Sequence, residues 1–196
     1  MTAISRGRWS RASWICLLAA CGGARAPGAA RQPSPGSPTR VISLAQALVL
    51  ETAGPPPPDT TVSFIAGQPR TIVLRHGPPD NIVFAELVFP PGAFADSGRE
   101  VKVEVHPRPG IYGLDIATSA PIRDEAALVF QYARYFSAPV RARAVYGSDV
   151  AYERALAVGA VQANGQLAFL PSTRPASDNL RAALPAAGSY LVAAPQ

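Results

Sequence analysis

Val101-Lys102-Val103-Glu104-Val105-His106 decides the fold. Apolar and polar residues alternate through it, so an extended backbone sends three valines to one face and Lys102, Glu104 and His106 to the other. A strand with one dry and one wet side belongs to an antiparallel sheet, because parallel strands are covered on both faces. Pro107-Arg108-Pro109-Gly110 then supplies a turn. Beyond it Tyr112, Leu114 and Ile116 take the inward positions around Gly113 and Asp115.

The same texture extends outward in both directions. Short alternating runs at Thr61 to Ile65, Thr71 to His76 and Asn81 to Phe89 are each closed by Gly and Pro punctuation. Further strands are expected at Ala126 to Tyr132, Val140 to Tyr146, Tyr152 to Val158, Leu167 to Leu170 and Tyr190 to Ala193. The connections are too short for crossover helices, which removes a parallel arrangement. The expectation is an all-β fold, an immunoglobulin-like antiparallel β-sandwich of two packed sheets. Residues 41–51 lean to a short helix, with Ser43 and Gln46 as a capping box, although Leu48-Val49-Leu50 equally fits a first strand. Asp178 to Leu184 reads as one helical turn or an irregular strand.

Phe89-Pro90-Pro91-Gly92-Ala93-Phe94, followed by the Val101–Val105 strand, resembles the β-sandwich domain shared by ankyrins, netrin receptors and zonula occludens proteins. Phe130-Gln131-Tyr132 and Gly188-Ser189-Tyr190-Leu191-Val192 sit where that domain has later strands. The turn has a physical basis. Proline cannot donate to a ladder and ends the preceding strand, and Gly92 permits the reversal. Some members of that family cleave their own backbone at His-Phe-Ser. Here the nearest string is Tyr135-Phe136-Ser137, so the resemblance implies no autoproteolysis.

The N-terminus carries a different signal. Arg6, Arg8 and Arg11 precede a short apolar run, Ala12 to Leu18, and then Leu18-Ala19-Ala20-Cys21. This resembles the lipobox of bacterial lipoproteins after an export signal. The run falls short of the roughly 20 apolar residues that a membrane span needs. The resemblance implies cleavage between Ala20 and Cys21 and acylation of Cys21 with lipid such as palmitate. Residues 1–20 then form the signal peptide, 21–40 the lipidated cysteine with a Pro/Gly-rich linker, and 41–196 the sandwich. The linker is expected to be disordered, reaching between about 25 Å as a coil and about 60 Å as polyproline. Gly22, where an aspartate would retain some lipoproteins at the inner membrane, favours the outer membrane in a cell that has one. The expected location is the bacterial cell envelope.

The only two cysteines are Cys16 and Cys21, so the mature body is expected to stand without a disulfide. The net charge of +5 is carried before the body: six of the 18 Lys and Arg residues precede position 41, leaving 12 against 13 Asp and Glu. Without a basic surplus in the body, nucleic acid is not an expected partner.

Catalytic signatures are sparse. There is no Gly-x-Ser-x-Gly elbow, His-Glu-x-x-His helix, Walker loop or dinucleotide fingerprint. No cofactor and no metal site is expected; Asp115, Asp124 and Glu125 read as ordinary solvated residues rather than a calcium cage. His106 shares a wet strand face with Glu104 and Lys102, a pattern that reads as cross-strand charge pairing. Phe130 and Tyr132 share a face and read as core. Tyr135 and Phe136, where a strand runs into Ser137-Ala138-Pro139, are a candidate recognition surface, with Arg141 and Arg143 as an alternating cationic face beside them. The expected function is a non-enzymatic binding or structural module for an envelope protein or polysaccharide, held to membrane lipid through Cys21. The alternative is an envelope hydrolase using His76 with Asp80 or Glu104.

Overall fold

Two antiparallel sheets face each other across one apolar layer. The computed structural model describes residues 39–123 and 125–196; the signal peptide, Cys21, Asp124 and the linker up to residue 38 lie outside the described residues. In chain order the strands are β1 (Arg40–Ser43), β2 (Ala47–Val49), β3 (Glu51–Thr52), β4 (Thr60–Ile65), β5 (Arg70–Arg75), β6 (Val83–Phe89), β7 (Glu100–Pro107), β8 (Gly113–Thr118), β9 (Ala127–Gln131), β10 (Phe136–Ser137), β11 (Ala157–Val161), β12 (Gln166–Phe169), β13 (Ser172–Thr173), β14 (Asn179–Ala183) and β15 (Gly188–Pro195). Two short helices, α1 (Val140–Tyr146) and α2 (Asp149–Ala155), interrupt them. The larger sheet runs β1-β12-β11-β15-β8-β7-β4, with β2 also on β15; the smaller runs β13-β14-β9-β6-β5; β10 and β3 make a two-stranded ribbon.

The deciding strand behaves as its alternation requires. Val101, Val103 and Val105 of β7 are buried, and Lys102 and His106 are exposed. With Leu114, Val158, Tyr190 and Val192 from the same sheet they pack against Ile72, Leu74, Phe89, Leu128, Phe130 and Leu180 from the other. Burial of this kind contributes about 1.5–3 kcal/mol per large aliphatic or aromatic side chain. Phe130 and Tyr132 are core, as read.

Two expected strands are helices. Val140 to Tyr146 alternates Val/Ala/Tyr with Arg, but Ala and Arg are strong helix formers. Gly147, left-handed at φ 73°, stops the helix by donating to the Arg143 carbonyl at 2.9 Å. Ser148 then caps α2, its side chain accepting from the Ala151 amide. The expected 152–158 strand therefore forms only from Ala157. Residues 41–51 are not a short helix: a single 3-10 turn, Leu44–Gln46, separates β1 from β2. Asn179–Ala183 is a regular strand on β9.

That 3-10 turn has a topological meaning. On a flat sheet β1 and β2 would lie four strand spacings apart, about 19 Å. Three residues in a 3-10 turn advance only about 6 Å. The strip β1-β12-β11-β15-β2 therefore curls and closes on itself. The small barrel so formed has its own core of Ala47, Leu167, Phe169, Leu191 and Ala193, ringed by Ile42, Leu44, Val49, Ile111, Ala157 and Val161. Gly159 faces this interior, where Leu167 Cγ lies 2.7 Å from the position a Cβ would take.

Candidate functional site

The end of β5 and the segments around it gather the most unusual side chain of the body. His76 follows β5 and is 1% exposed, the sole polar side chain besides tyrosines among the buried residues described. A bulge puts an aromatic wall beside it: Leu74 pairs with Ala85 and Arg75 with Val83, leaving Phe84 as an extra residue turned into the core. The Phe84 and Tyr112 rings stack at 5.1 Å, and His76 meets Phe84 edge-on at 5.1 Å and Tyr135 at 4.7 Å.

The polar atoms of this pocket are mostly committed. His76 Nδ1 donates to the Pro55 carbonyl at 2.8 Å; a carbonyl only accepts, so the proton is assigned to Nδ1. His76 Nε2 has no partner among the described residues. The Tyr135 hydroxyl donates to Asp80, whose carboxylate also faces Arg134 Nε at 3.5 Å. The Tyr135 bond first, then Arg134, holds the Asp80 carboxyl below the usual carboxylate range, and the same bond raises the Tyr135 phenol. Burial pushes the Tyr112 and Tyr132 phenols up to about 12, keeping both neutral donors. Tyr112 donates to the Tyr132 carbonyl at 3.2 Å, and Tyr132 to Glu153 Oε1 at 3.1 Å.

The pairings behind the hydrolase alternative do not form. His76 is hydrogen-bonded to backbone rather than to Asp80, and Glu104 lies on the outer face of the other sheet, bound to Lys102. His106 makes the cross-strand charge pair its wet face called for, its Nδ1 reaching Asp59 at 3.0 Å, while Lys102 and Glu104 bind each other along β7. Asp59, which directly precedes β4, is opposite His106 by the register that pairs Thr60 with Val105.

The recognition residues are drawn to one region but differ in role. Tyr135 ends the 3-10 turn Ala133–Tyr135, its ring lying over Gly54. Phe136 is half-buried on β10 against Tyr132 and Tyr152. Arg141 and Arg143 lie on α1 rather than on a strand; Arg141 is exposed, and Arg143 makes a two-point pair with Asp149 at 2.9 and 2.8 Å. Two hollows of about 370 and 420 Å³ flank Pro139 and Val140. Arg141 borders the first, and Phe136 and Arg143 border the second. Of these features Val140 itself was missed from sequence; its signal was a valine directly after Pro139, at the start of a helix.

A polar row across the larger sheet was also missed. His106 is opposite Asp115, and Asp115 opposite Ser189. Arg108 grips Asp115 through Nε at 3.1 Å and Nη2 at 2.7 Å, and Ser189 donates to the same carboxylate. The signal lay in His106 and Asp115 occupying wet positions on either side of one tight turn. Arg108 first, then Ser189, holds the Asp115 carboxyl below its usual range, while Asp59 raises the His106 imidazole. A lowered carboxylate contributes stability that is complete above about pH 4 and lost as pH falls through its folded value. Asp115→Asn is therefore expected to flatten the acid limb of stability below about pH 4 in urea melts across a pH series. His106 has the opposite sign: its contribution is present below about pH 6.5 and lost as pH rises through the raised value. That pair is well exposed and screened, so Asp115 dominates.

Among the described residues no three His, Cys, Asp or Glu side chains cluster as metal ligands, and no helix is long and apolar enough to cross a membrane. No protein-family model, no curated protein and no solved structure matches this chain.

Proposed function

We propose that the chain is a cell-envelope lipoprotein, anchored through an acylated Cys21, whose β-sandwich is a non-enzymatic binding or structural module for an envelope protein or polysaccharide. The observation that carries the reading is Leu18-Ala19-Ala20-Cys21, set behind three arginines and a brief apolar run. The architecture downstream supports it. Every cysteine lies at or before position 21, a Gly/Pro-rich segment follows, and the first described strand, β1, begins at Arg40. Two or three acyl chains exceed the two-signal threshold for stable anchoring, each buried methylene adding about 0.8 kcal/mol. The module reading draws on the Tyr135, Phe136, Arg141 and Arg143 region, where aromatic and cationic side chains border two hollows. Gly22 after the cysteine favours the outer membrane in a cell that has one.

Feeding expressing cells a fatty-acid probe is expected to label the protein, and Cys21→Ser to abolish the label entirely. The purified polypeptide should begin at residue 21 with added diacylglyceryl mass. A polypeptide that begins elsewhere, or that lacks acyl mass, overturns the proposal.

A further inference from the structure

Six large hydrophobic side chains of the described body are exposed, and four of them are Val41, Val140, Val145 and Val150 on β1, α1 and α2. Val140 is 95% exposed. At about 100° per residue, the inward side of α1 is Ala142 and Tyr146, and α2 buries Tyr152. Val140, Arg141 and Val145 of α1 and Val150 and Arg154 of α2 are left outward. Among the described residues neither Arg141 nor Arg154 has a carboxylate within ion-pair distance. Glu51, which borders the hollow beside Val140, is the opposing charge nearby; Asp149 is taken by Arg143, and Glu153 is tied inward to Tyr132.

The position of the chain entry says what this side faces. The described body begins at Thr39, whose amide donates to the Phe169 carbonyl. Arg40, next along, is close enough to the Tyr146 phenol of α1 to lower its pKa against the effect of burial. The segment leading back to Cys21 thus joins the body at β1, whose Arg40 lies near the Tyr146 end of α1. Isolated valines standing out among unpaired arginines suit a lipid interface, where apolar tips enter the headgroup layer and guanidinium groups meet phosphates.

We propose that the α1–α2 hairpin is a second, non-covalent membrane contact, resting on an anionic phospholipid surface with Val140 inserted and Arg141 and Arg154 on the headgroups. The inference rests on Cys21 being the lipid attachment point. The anchor supplies proximity and the hairpin sets which side of the sandwich turns away from the bilayer. A protein partner on the same residues is the competing occupant, and the experiment separates the two.

With Cys21 in a thioether the mature chain has no other thiol, so Val140→Cys offers a single site for an environment-sensitive fluorophore, and Val73→Cys on β5 a control. Both labelled lipoproteins are reconstituted into vesicles of phosphatidylethanolamine with phosphatidylglycerol, and into phosphatidylcholine alone. The label at 140 is expected to shift to the blue in the anionic vesicles and to stay aqueous in the neutral ones; the label at 73 stays aqueous in both. Arg141→Gln with Arg154→Gln is expected to lower the docked-to-free ratio by about 30-fold. An acylated protein whose label at 140 remains as aqueous as that at 73 overturns the docking and leaves the anchor standing. Absence of acyl mass removes the anchor, and the docking falls with it.

Discussion

Gly159→Val is expected to destabilise the body by about 3 kcal/mol, because the small barrel has no room for a side chain there. Gly159 is opposite Phe169 on one side and Leu191 on the other, and the isobutyl group of Leu167 fills the space its missing Cβ leaves. Leu167 is fully buried and cannot swing outward without leaving the barrel. The test is a double-mutant cycle in urea. Leu167→Ala alone opens a cavity and costs about 2–5 kcal/mol. Combined with Gly159→Val, the new methyl groups occupy that cavity, and the pair is expected to cost at least 1 kcal/mol less than the sum of the singles. Strict additivity would mean that the two residues do not share one enclosed space, and the packing of Leu167 over Gly159 would be wrong.

Phe84→Ala is expected to cost about 3–5 kcal/mol. Phe84 is 1% exposed, stacks on Tyr112 and meets both His76 and Phe130 edge-on. Its loss removes a wall from the pocket that holds an imidazole with one unpartnered nitrogen, so part of the cost falls on His76. For a body of this size the midpoint of thermal unfolding should fall by on the order of 10 °C. Phe84→Leu, which keeps most of the volume, should recover more than half of the loss. If alanine and leucine behave alike, ring stacking rather than volume carries the site.

These two positions mark how far the sequence could be read. The β7 strand was legible because its alternation is local: three valines and their polar partners decide their faces with no help from elsewhere. Gly159 and Leu167 sit on the neighbouring strands β11 and β12, but the core they line also needs β1 laid against β12, with partners such as Arg40 and Phe169 far apart in the chain, and no short-range pattern encodes that. Phe84 faces inward through a bulge, which breaks the period that sequence reading depends on. The Val140–Tyr146 helix was misread for a related reason. Its apolar residues happen to alternate, yet the Gly147-Ser148-Asp149 stop and start carried the better information. For His76 the turn residues were read correctly, but its burial comes from Pro55, a segment on the far side of β4 in the chain. Tyr135 and Phe136 were singled out in the right region, while the exposed Val140 between the two hollows depended on knowing that residue 140 begins a helix.

β15 is the busiest of the described strands: it pairs with β11, β8 and β2, and Gln196, just beyond it, donates from its amide to the Gln46 carbonyl. A chain without residues 188–196 therefore lacks the seam that joins both halves of the larger sheet and seals the barrel. The larger sheet is complete only once β15 is in place.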